Sequence, residues 1–431
     1  MKKIGIVSLG CAKNLVDSEM ILAMFDPLSY SITSSPKDAD IIIINTCGFI
    51  EAAKKESIET ILEMRSYRGA KLVVVGCFVE RYLQQLKEEM PDVDLFIPLK
   101  DYPHLGELIG GLFPDETPLK ALDPLKRVLS TPDYCAYLRI SEGCDNFCAF
   151  CAIPFIRGRF ISRPFDEIIK EAEDLKSKGI KEISIVSQDT ANYGKDFPKG
   201  GPRFLDLLKT LDAMGFYSIR LLYLYPEEIS LEMLEFIKDS HSVAHYFDVP
   251  IQCASDHLLK LMRRHGTTED TRLLFHKIRE MMPEAILRTT LIAGFPGENE
   301  EDRDQTLNFL EEIKFDHLGV FAYSQEEGTL AASYKDQLSL EEKEAGRDAI
   351  MRLQKNISYE RNKLQVGKEM EGIVTGFNPK SGLYTLRSYW NAPDDIDGRI
   401  DFSSKNPLKV GDIVKVKVTN AFVYDLMGEA I

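Results

Sequence analysis

Runs of apolar residues alternate with amphipathic stretches through the first 115 residues of the chain. Short, continuous apolar runs are typical of strands buried on both faces, and the longer stretches between them have helical periodicity. This alternation predicts a parallel sheet covered by helices, an α/β domain at 1–115. The predicted strands are Ile4–Leu9, Ile41–Ile44 and Leu72–Val75, and the predicted helices are Asp17–Phe25, Glu51–Met64 and Val79–Glu89.

A second strand-and-helix series follows a proline-rich linker at about residues 115–133. Its strand candidates predict an incomplete (βα)6 barrel at 130–360. A long polar helix, Leu340–Leu364, is predicted to lead out of this barrel. The predicted strands are Tyr137–Ser141, Glu182–Ser187, Ser218–Tyr225, Tyr246–Ile251, Ile286–Ala293 and His317–Tyr323, with helices that include Phe165–Lys178, Phe204–Met214 and Asp302–Ile313.

The pattern becomes β-like from Val366 onward, with short runs separated by Gly, Asn and Pro turns. About 65 residues of this kind predict a small OB-like β-barrel at 366–431. The chain is therefore predicted to be an α/β multidomain protein with a C-terminal β-barrel. The predicted strands of this last part are Glu371–Thr375, Tyr384–Ser388 and Ile413–Thr419.

The composition narrows the class of protein. Hydrophobic residues make up 44% of the 431 residues and charged residues 28%, which is typical of a globular protein. No apolar run is long enough to span a membrane and no signal-peptide cleavage site is visible, so the cytoplasm is expected, where cysteines stay reduced. The net charge of −15 disfavours nucleic acid as a partner unless a basic patch is set aside for it, and it suits a basic partner.

Three of the eight cysteines lie close together, at Cys144, Cys148 and Cys151. Three close thiolates can hold one metal centre, one ligand short of the four that complete a structural zinc or an iron–sulfur cluster. Zinc sites usually add a second close pair of cysteines, which this sequence lacks, although His241 and His245 could complete such a site. The spacing therefore favours a 4Fe–4S cluster with one open iron over zinc.

Cys11, Cys47 and Cys77 each follow a predicted strand of the first domain. Parallel strands end at the same edge of a sheet, so these cysteines are predicted to meet there. The alternative is three separate buried thiols. Cys135 and Cys253 are predicted to be buried or to line a cavity without binding metal.

The stretch Cys144–Cys151, with Phe150 before the last cysteine, resembles the signature of radical S-adenosylmethionine enzymes. The resemblance implies that S-adenosylmethionine binds the open iron and is cleaved by one electron to a radical that removes hydrogen from a C–H bond. An outside electron donor, flavodoxin or ferredoxin, is implied because no flavin or nicotinamide motif is visible. The cofactor contacts that the resemblance implies are Phe150, Gln188, Gly294, Gly297 and Glu298.

The stretches Gly10–Glu19, Asn45–Ile50 and Val75–Cys77 resemble motifs of the methylthiotransferases within that superfamily. In this family the first three cysteines hold a second 4Fe–4S cluster, and a TRAM domain ends the chain, which corresponds to residues 366–431. The resemblance implies that one S-adenosylmethionine provides the methyl group of an inserted CH3–S group and a second provides the radical.

Two branches of the family differ in substrate. The stretches Lys13–Glu19, Ser187–Thr190 and Tyr223–Pro226 resemble the RimO-like branch, which modifies the β-carbon of an aspartate in the small-subunit ribosomal protein S-twelve. Cys253 departs from that branch, which usually has histidine there, and Arg157–Arg159 is closer to the MiaB-like and MtaB-like branch, which modifies an adenosine of tRNA.

The charge of the C-terminal part also bears on the substrate. Residues 366–431 contain eight Lys and Arg and nine Asp and Glu, whereas a barrel that grips tRNA should be basic. The acidic stretch Pro393–Gly398 is predicted to offer carboxylates to a basic ribosomal protein, with an ordinary solvated turn as the alternative. The sequence thus favours a ribosomal-protein methylthiotransferase; a tRNA methylthiotransferase and a metal-stapled binding protein are the alternatives.

Overall fold

The computed structural model describes residues 1–114, 118–393 and 396–431. Its first sheet consists of β1 (Lys2–Ser8), β2 (Tyr30–Ile32), β3 (Ile41–Thr46), β4 (Lys71–Gly76) and β5 (Leu95–Ile97). The sheet is parallel, with the order β2-β1-β3-β4-β5, which confirms the predicted parallel α/β architecture. The helices of this part are α1 (Ala12–Leu22), α2 (Glu51–Met64), α3 (Cys77–Glu89) and α4 (Leu105–Gly110).

The register of the first sheet aligns the ends of its central strands. Ser8 pairs with Asn45, and Thr46 pairs with Gly76. The loops that follow β1, β3 and β4 therefore begin side by side at one edge. This is the edge at which the first three cysteines were predicted to meet.

The second sheet is an open, six-stranded parallel sheet with the order β13-β12-β11-β10-β9-β6, which confirms the incomplete barrel. A short antiparallel pair, β7 and β8, follows the first strand of this sheet. The strands are β6 (Cys135–Arg139), β7 (Ser141–Glu142), β8 (Ile161–Ser162), β9 (Glu182–Val186), β10 (Ser218–Leu221), β11 (Val243–Asp248), β12 (Ile286–Ala293) and β13 (His317–Ala322). The helices are α5 (Ile153–Ile156), α6 (Phe165–Ser177), α7 (Phe204–Ala213), α8 (Leu231–Asp239), α9 (Asp256–Leu261), α10 (Thr268–Met281), α11 (Glu300–Ile313) and α12 (Leu340–Lys363).

The C-terminal part is a closed five-stranded barrel, as predicted. Trp390 is buried and packs edge-on against His317 of β13, with the ring centroids 4.7 Å apart. One apolar cluster joins this barrel, the open barrel and α1, so the three parts share a core. The strands are β14 (Glu369–Asn378), β15 (Leu383–Ser388), β16 (Ile400–Ser403), β17 (Ile413–Ala421) and β18 (Leu426–Ala430).

Helix α1 lies between the first sheet and the open barrel. It begins at Ala12, with Cys11 as its N-cap, rather than at the predicted Asp17. Nine of its eleven residues are buried, including Lys13, Asp17 and Glu19. A helix that carries these charges inside the protein requires partners on the second barrel. None of the helices in the described ranges is long and apolar enough to cross a membrane.

Candidate active site

The loops after β1, β3 and β4 bring Cys11, Cys47 and Cys77 to one edge of the first sheet. Gly10 has a φ of +88°, and a Cβ atom built on it would lie 2.6 Å from Cβ and 2.9 Å from Sγ of Cys47. Only glycine allows this left-handed turn and this close approach. The glycine before the first cysteine thus makes room for the second.

Asn14 of α1 ties the three loops together. Its Nδ2 donates to the carbonyl oxygens of Leu9 and Thr46, at 2.9 and 3.0 Å, and the Cys77 thiol lies 3.6 Å from its Oδ1. Burial, and to a smaller extent the neighbouring Cys77 and Cys11, raise the pKa of Cys47 to about 12. Burial also raises the pKa of Cys77. A metal centre that binds such thiols displaces their protons and stabilises the thiolates. This is the chemistry of an iron–sulfur site.

Gly10→Ala is expected to remove the metal centre at Cys11, Cys47 and Cys77. The added methyl group displaces Cys47, so the iron content of the reconstituted protein should fall from about eight to about four per chain. Gly69→Ala is the matched control, since no atom lies within 4 Å of its Cβ position. Iron and sulfide analysis measures both variants, and unchanged iron in Gly10→Ala would contradict this placement.

Cys144, Cys148 and Cys151 lie in the segment between β7 and α5, beyond the end of the first barrel strand. Phe147 adopts a left-handed backbone with φ +46°, which turns this loop tightly. Asn146 lies 3.4 Å from the Cys144 thiol, and Tyr225 lies 3.9 Å from the Cys148 thiol. Burial raises the pKa of Cys144 and of Cys151, and the other thiols of the group contribute in the same direction.

The two groups supply three thiols each, and thiolates are the usual ligands of iron–sulfur clusters. In the part of the chain that the structure describes, no three His, Cys, Asp or Glu side chains converge closely enough to hold one metal ion. A four-iron cluster takes each thiolate on a different iron, so its ligands are spaced more widely than those of zinc. Asp189, whose Oδ2 accepts from Asn146 beside Cys144, keeps a buried Oδ1 without a partner among the described residues. That oxygen fits a donor group of a bound cofactor.

A buried ionic network joins the two thiol groups. Asp17 pairs with Arg139 and with Arg157, whose Nη2 also donates to Asn14 at 2.6 Å. Lys13 pairs with Glu142, and burial lowers the pKa of this lysine to about 8. Arg157 lies six residues after Cys151 of the second thiol group and contacts Asn14, which holds the loops of the first group. The network therefore fixes the positions of the two groups relative to each other.

A cavity of about 410 Å3 is lined in part by residues that lie within three positions of a cysteine of each group in the sequence, although none of the six cysteines lines it. Phe49 and Ile50, just after Cys47, line one wall, and Phe150, just before Cys151, lines another. The β13 side of this cavity is attached to the first domain through buried Glu326, which pairs with Lys54 and Arg81 at 2.9 and 3.0 Å. These ion pairs hold the first domain against the β13 side of the cavity.

Of the residues predicted to contact the cofactor, Phe150 lines the cavity and the others do not. Phe150 lines the cavity, whereas the Gln188 side chain accepts a hydrogen bond from Lys13 at the domain junction. The Glu298 carboxylate accepts from the backbone N–H groups of Gly294 and Phe295 at 2.8 and 3.3 Å, which closes the turn on itself. Gly294, with a φ of +72°, admits the side chain of Lys343 from α12, and Gly297 has a φ of +86°. The turn's own geometry accounts for these glycines, so their cofactor role stays a prediction.

The histidines considered for a zinc site lie elsewhere. His241 and His245 are at the start of β11, at the end of the barrel opposite to the cysteines, and line a separate groove of about 940 Å3. The interpretation that they complete the cysteine site is therefore wrong. Cys135 and Cys253 are 8% and 4% exposed, which confirms that these two thiols are buried.

The acidic stretch Pro393–Gly398 does not present its last carboxylate to solvent. Asp394 and Asp395 lie outside the described residues. The Asp397 side chain is 1% exposed, accepts from the Tyr246 hydroxyl at 2.7 Å and lies 3.3 Å from Nε of Arg288. The prediction that this carboxylate binds a basic partner is wrong, because Asp397 is already paired inside the protein.

Sequence reasoning missed the charged residues inside the barrel and at the domain junction. Arg288 lies in the middle of the apolar strand β12, and Arg139 lies in β6. An arginine within a strand predicted to be buried was a visible signal, because buried charges require partners.

Three family models cover most of the chain. The uncharacterized protein family UPF0004 matches residues 3–98, the radical SAM superfamily matches residues 138–310, and the TRAM domain matches residues 366–431. In fold, the chain is similar to the radical S-adenosylmethionine methyltransferase TsrM from Kitasatospora setae, with a TM-score of 0.54 at 14% identity, over 75% of this chain and 77% of that one. OxsB, a cobalamin-dependent S-adenosylmethionine radical enzyme, is similar with a TM-score of 0.52 at 14% identity, over 82% of this chain and 56% of that chain. The fold is thus that of the radical S-adenosylmethionine superfamily, whose family model the chain matches.

Sequence relatives give the finer assignment. A ribosomal protein uS12 methylthiotransferase RimO from Acetivibrio thermocellus is 44% identical, over 100% of this chain and 98% of the relative. The protein of the same name from Aquifex aeolicus is 45% identical, over 99% of this chain and 96% of the relative. The chain belongs to the RimO family of methylthiotransferases.

Proposed function

We propose that this protein inserts a methylthio group at the β-carbon of an aspartate in ribosomal protein uS12. Family membership supports the reaction class and the substrate protein. The observation that carries the proposal is a cavity of about 410 Å3 lined by Phe49 and Ile50 of the first domain and by Phe150 of the second cysteine loop. A C–H bond and an incoming CH3–S group must meet in one space, and this cavity is lined by both domains that bear the cysteines.

We propose that Cys11, Cys47 and Cys77 hold one 4Fe–4S cluster and that Cys144, Cys148 and Cys151 hold the other. When bound, the clusters and S-adenosylmethionine would supply radical chemistry that replaces C–H by C–S–CH3. One S-adenosylmethionine would supply the methyl group and a sulfide donor the sulfur; reductive cleavage of a second S-adenosylmethionine to methionine and deoxyadenosine, which takes up the hydrogen, would match the oxidation of the C–H bond. The chain's own residues align these groups. Asn14 holds the first three loops, and the pairs of Asp17 with Arg139 and Arg157 fix that frame against the barrel.

The remaining assignments follow from this reaction. Three domains are proposed. Residues 1–115 bind the first cluster, residues 130–360 perform the radical chemistry, and residues 366–431 form the closed β-barrel. A low-potential reductase, flavodoxin or ferredoxin, is proposed as electron donor, and the cytoplasm, where ribosomes are made, as the location. Phe150 is proposed to contact the cofactor from the cavity wall.

The reconstituted enzyme should form a methylthiolated product on ribosomal protein uS12 or a peptide of it and none on tRNA, measured by mass spectrometry. The reason is that residues 366–431 contain eight Lys and Arg against nine Asp and Glu, so the C-terminal barrel has no excess of basic residues with which to bind tRNA. A preparation with Cys148→Ala serves as the inactive control. Product on tRNA alone would refute the proposed substrate.

A further inference from the structure

The cavity of about 410 Å3 is lined by one cation and two carboxylates. Its described lining includes the ionisable side chains of Asp248, Arg288 and Glu326, with Arg288 as the cation. Glu326 is already paired with Lys54 and Arg81. Most of the remaining wall is apolar or aromatic, so a charge placed there is weakly screened.

Arg288 is held in place from two sides. It lies on β12, where alternate residues Arg288, Thr290 and Ile292 all line the cavity. Its Nη1 donates to Asp248 of β11 at 2.7 Å, and its Nε lies 3.3 Å from Asp397 of the closed β-barrel. Its Nη2 has no hydrogen-bond partner within the described residues. The two aspartates thus orient the guanidinium through Nε and Nη1 and leave Nη2 available.

The residues around Arg288 also fix Asp397. Tyr246 donates to the Asp397 carboxylate at 2.7 Å, and the backbone N–H of Ala392 donates to it at 2.8 Å. Ile396, the residue before it, lines the same cavity. The closed β-barrel therefore supplies part of the cavity wall and a positioning residue for Arg288.

Gln252 adds a second polar group at this wall. Its φ is +70°, in the left-handed region that a residue with a side chain rarely adopts, and its side chain makes no hydrogen bond to the described residues. Backbone strain of this kind persists where the surroundings fix it and is enriched at ligand sites. The amide and the guanidinium together match the acceptors of a carboxylate.

We propose that Arg288 binds the side-chain carboxylate of the substrate aspartate and thereby selects aspartate over its neutral isostere. This inference rests on the proposed function, because it assigns the residue that recognises the aspartate of ribosomal protein uS12. A guanidinium Nη2 that is held in place and lacks another partner within the described residues can donate a charge-assisted hydrogen bond to a carboxylate, which is stronger than a bond to the neutral amide of asparagine.

The test compares uS12 peptides that carry aspartate or asparagine at the target position. The wild-type enzyme should prefer aspartate by about 100-fold in kcat/KM, and Arg288→Gln should reduce that preference to below about 10-fold. Equilibrium binding of the two peptides to the cluster-loaded protein, measured by fluorescence anisotropy, should show the same loss. Arg288→Lys keeps the charge without the planar fork and should lose about 10-fold of the preference.

Arg272→Gln is the matched control, because this arginine of α10 pairs with Glu269 and Glu312 at the surface. It should leave the preference unchanged. An equal affinity of the wild type for both peptides, or an unchanged preference in Arg288→Gln and Arg288→Lys, would overturn the inference. Loss of peptide-independent S-adenosylmethionine cleavage in Arg288→Gln would overturn it too, by assigning Arg288 to the cofactor. Modification of tRNA and of neither peptide would instead refute the proposed function.

Discussion

Replacing Cys144, Cys148 and Cys151 together by alanine is expected to abolish S-adenosylmethionine cleavage and methylthiolation alike. Replacing Cys11, Cys47 and Cys77 together should leave the cleavage and abolish only methylthiolation. The reason is that the two groups lie in loops that follow strands of different sheets, so each can be removed without removing the other. Each triple variant should retain about four irons per chain.

Mass spectrometry of deoxyadenosine and of the modified peptide measures both steps. Cys135→Ala is the control. This buried thiol lies at the N-terminal start of β6, whereas the other cysteines follow the C-terminal ends of strands, so the substitution should leave both steps intact. Deoxyadenosine formation that survives loss of the Cys144, Cys148 and Cys151 group would contradict the assignment of roles. So would its disappearance in the other triple variant.

Asp17→Asn is expected to lower the free energy of unfolding by about 3–5 kcal/mol. The substitution keeps the shape of the side chain but leaves Arg139 and Arg157, which are 9% and 3% exposed, without the Asp17 carboxylate. Glu142 is then left to pair with three cations, Lys13, Arg139 and Arg157. The excess buried positive charge is costly, because the interior does not replace the water that it lost. The first domain should also separate from the barrel more easily, exposing the linker to protease.

Denaturant unfolding and limited proteolysis under anaerobic conditions measure these two effects. Asp174→Asn removes an exposed pair with Lys178, in which both side chains are 45% exposed, and should change neither measurement. Equal stability of Asp17→Asn and the wild type would show that the network does not hold the domains together.

The long elements could be predicted because their signals are local. The strand β12 and the helix α2 were predicted with the bounds that they have, since a continuous apolar run and a clear helical period define them. The short strands β2, β5, β16 and β18 were missed. Strands of three to five residues carry too few positions for a pattern, and only pairing with neighbours already in place defines them.

The site was predictable for its cysteines and not for its charges. Spacing and strand ends indicate where Cys11, Cys47 and Cys77 meet, because the chain direction of a parallel sheet fixes the edge. The partners of Lys13, Asp17 and Arg288 lie between 40 and 175 residues away in the chain, so no local pattern reveals them. Buried ion pairs are a property of the docked domains.

The contact between Asp397 and Arg288 limits how freely this architecture can be recombined. A closed β-barrel exchanged for that of a homologue would bring its own loop to the cavity wall, and the guanidinium would lose one of the two carboxylates that orient it. Chimeric enzymes made by exchanging whole domains should therefore lose substrate discrimination unless this loop is kept. Evolution of new substrates in such enzymes requires the barrel strand and the appended barrel to change together.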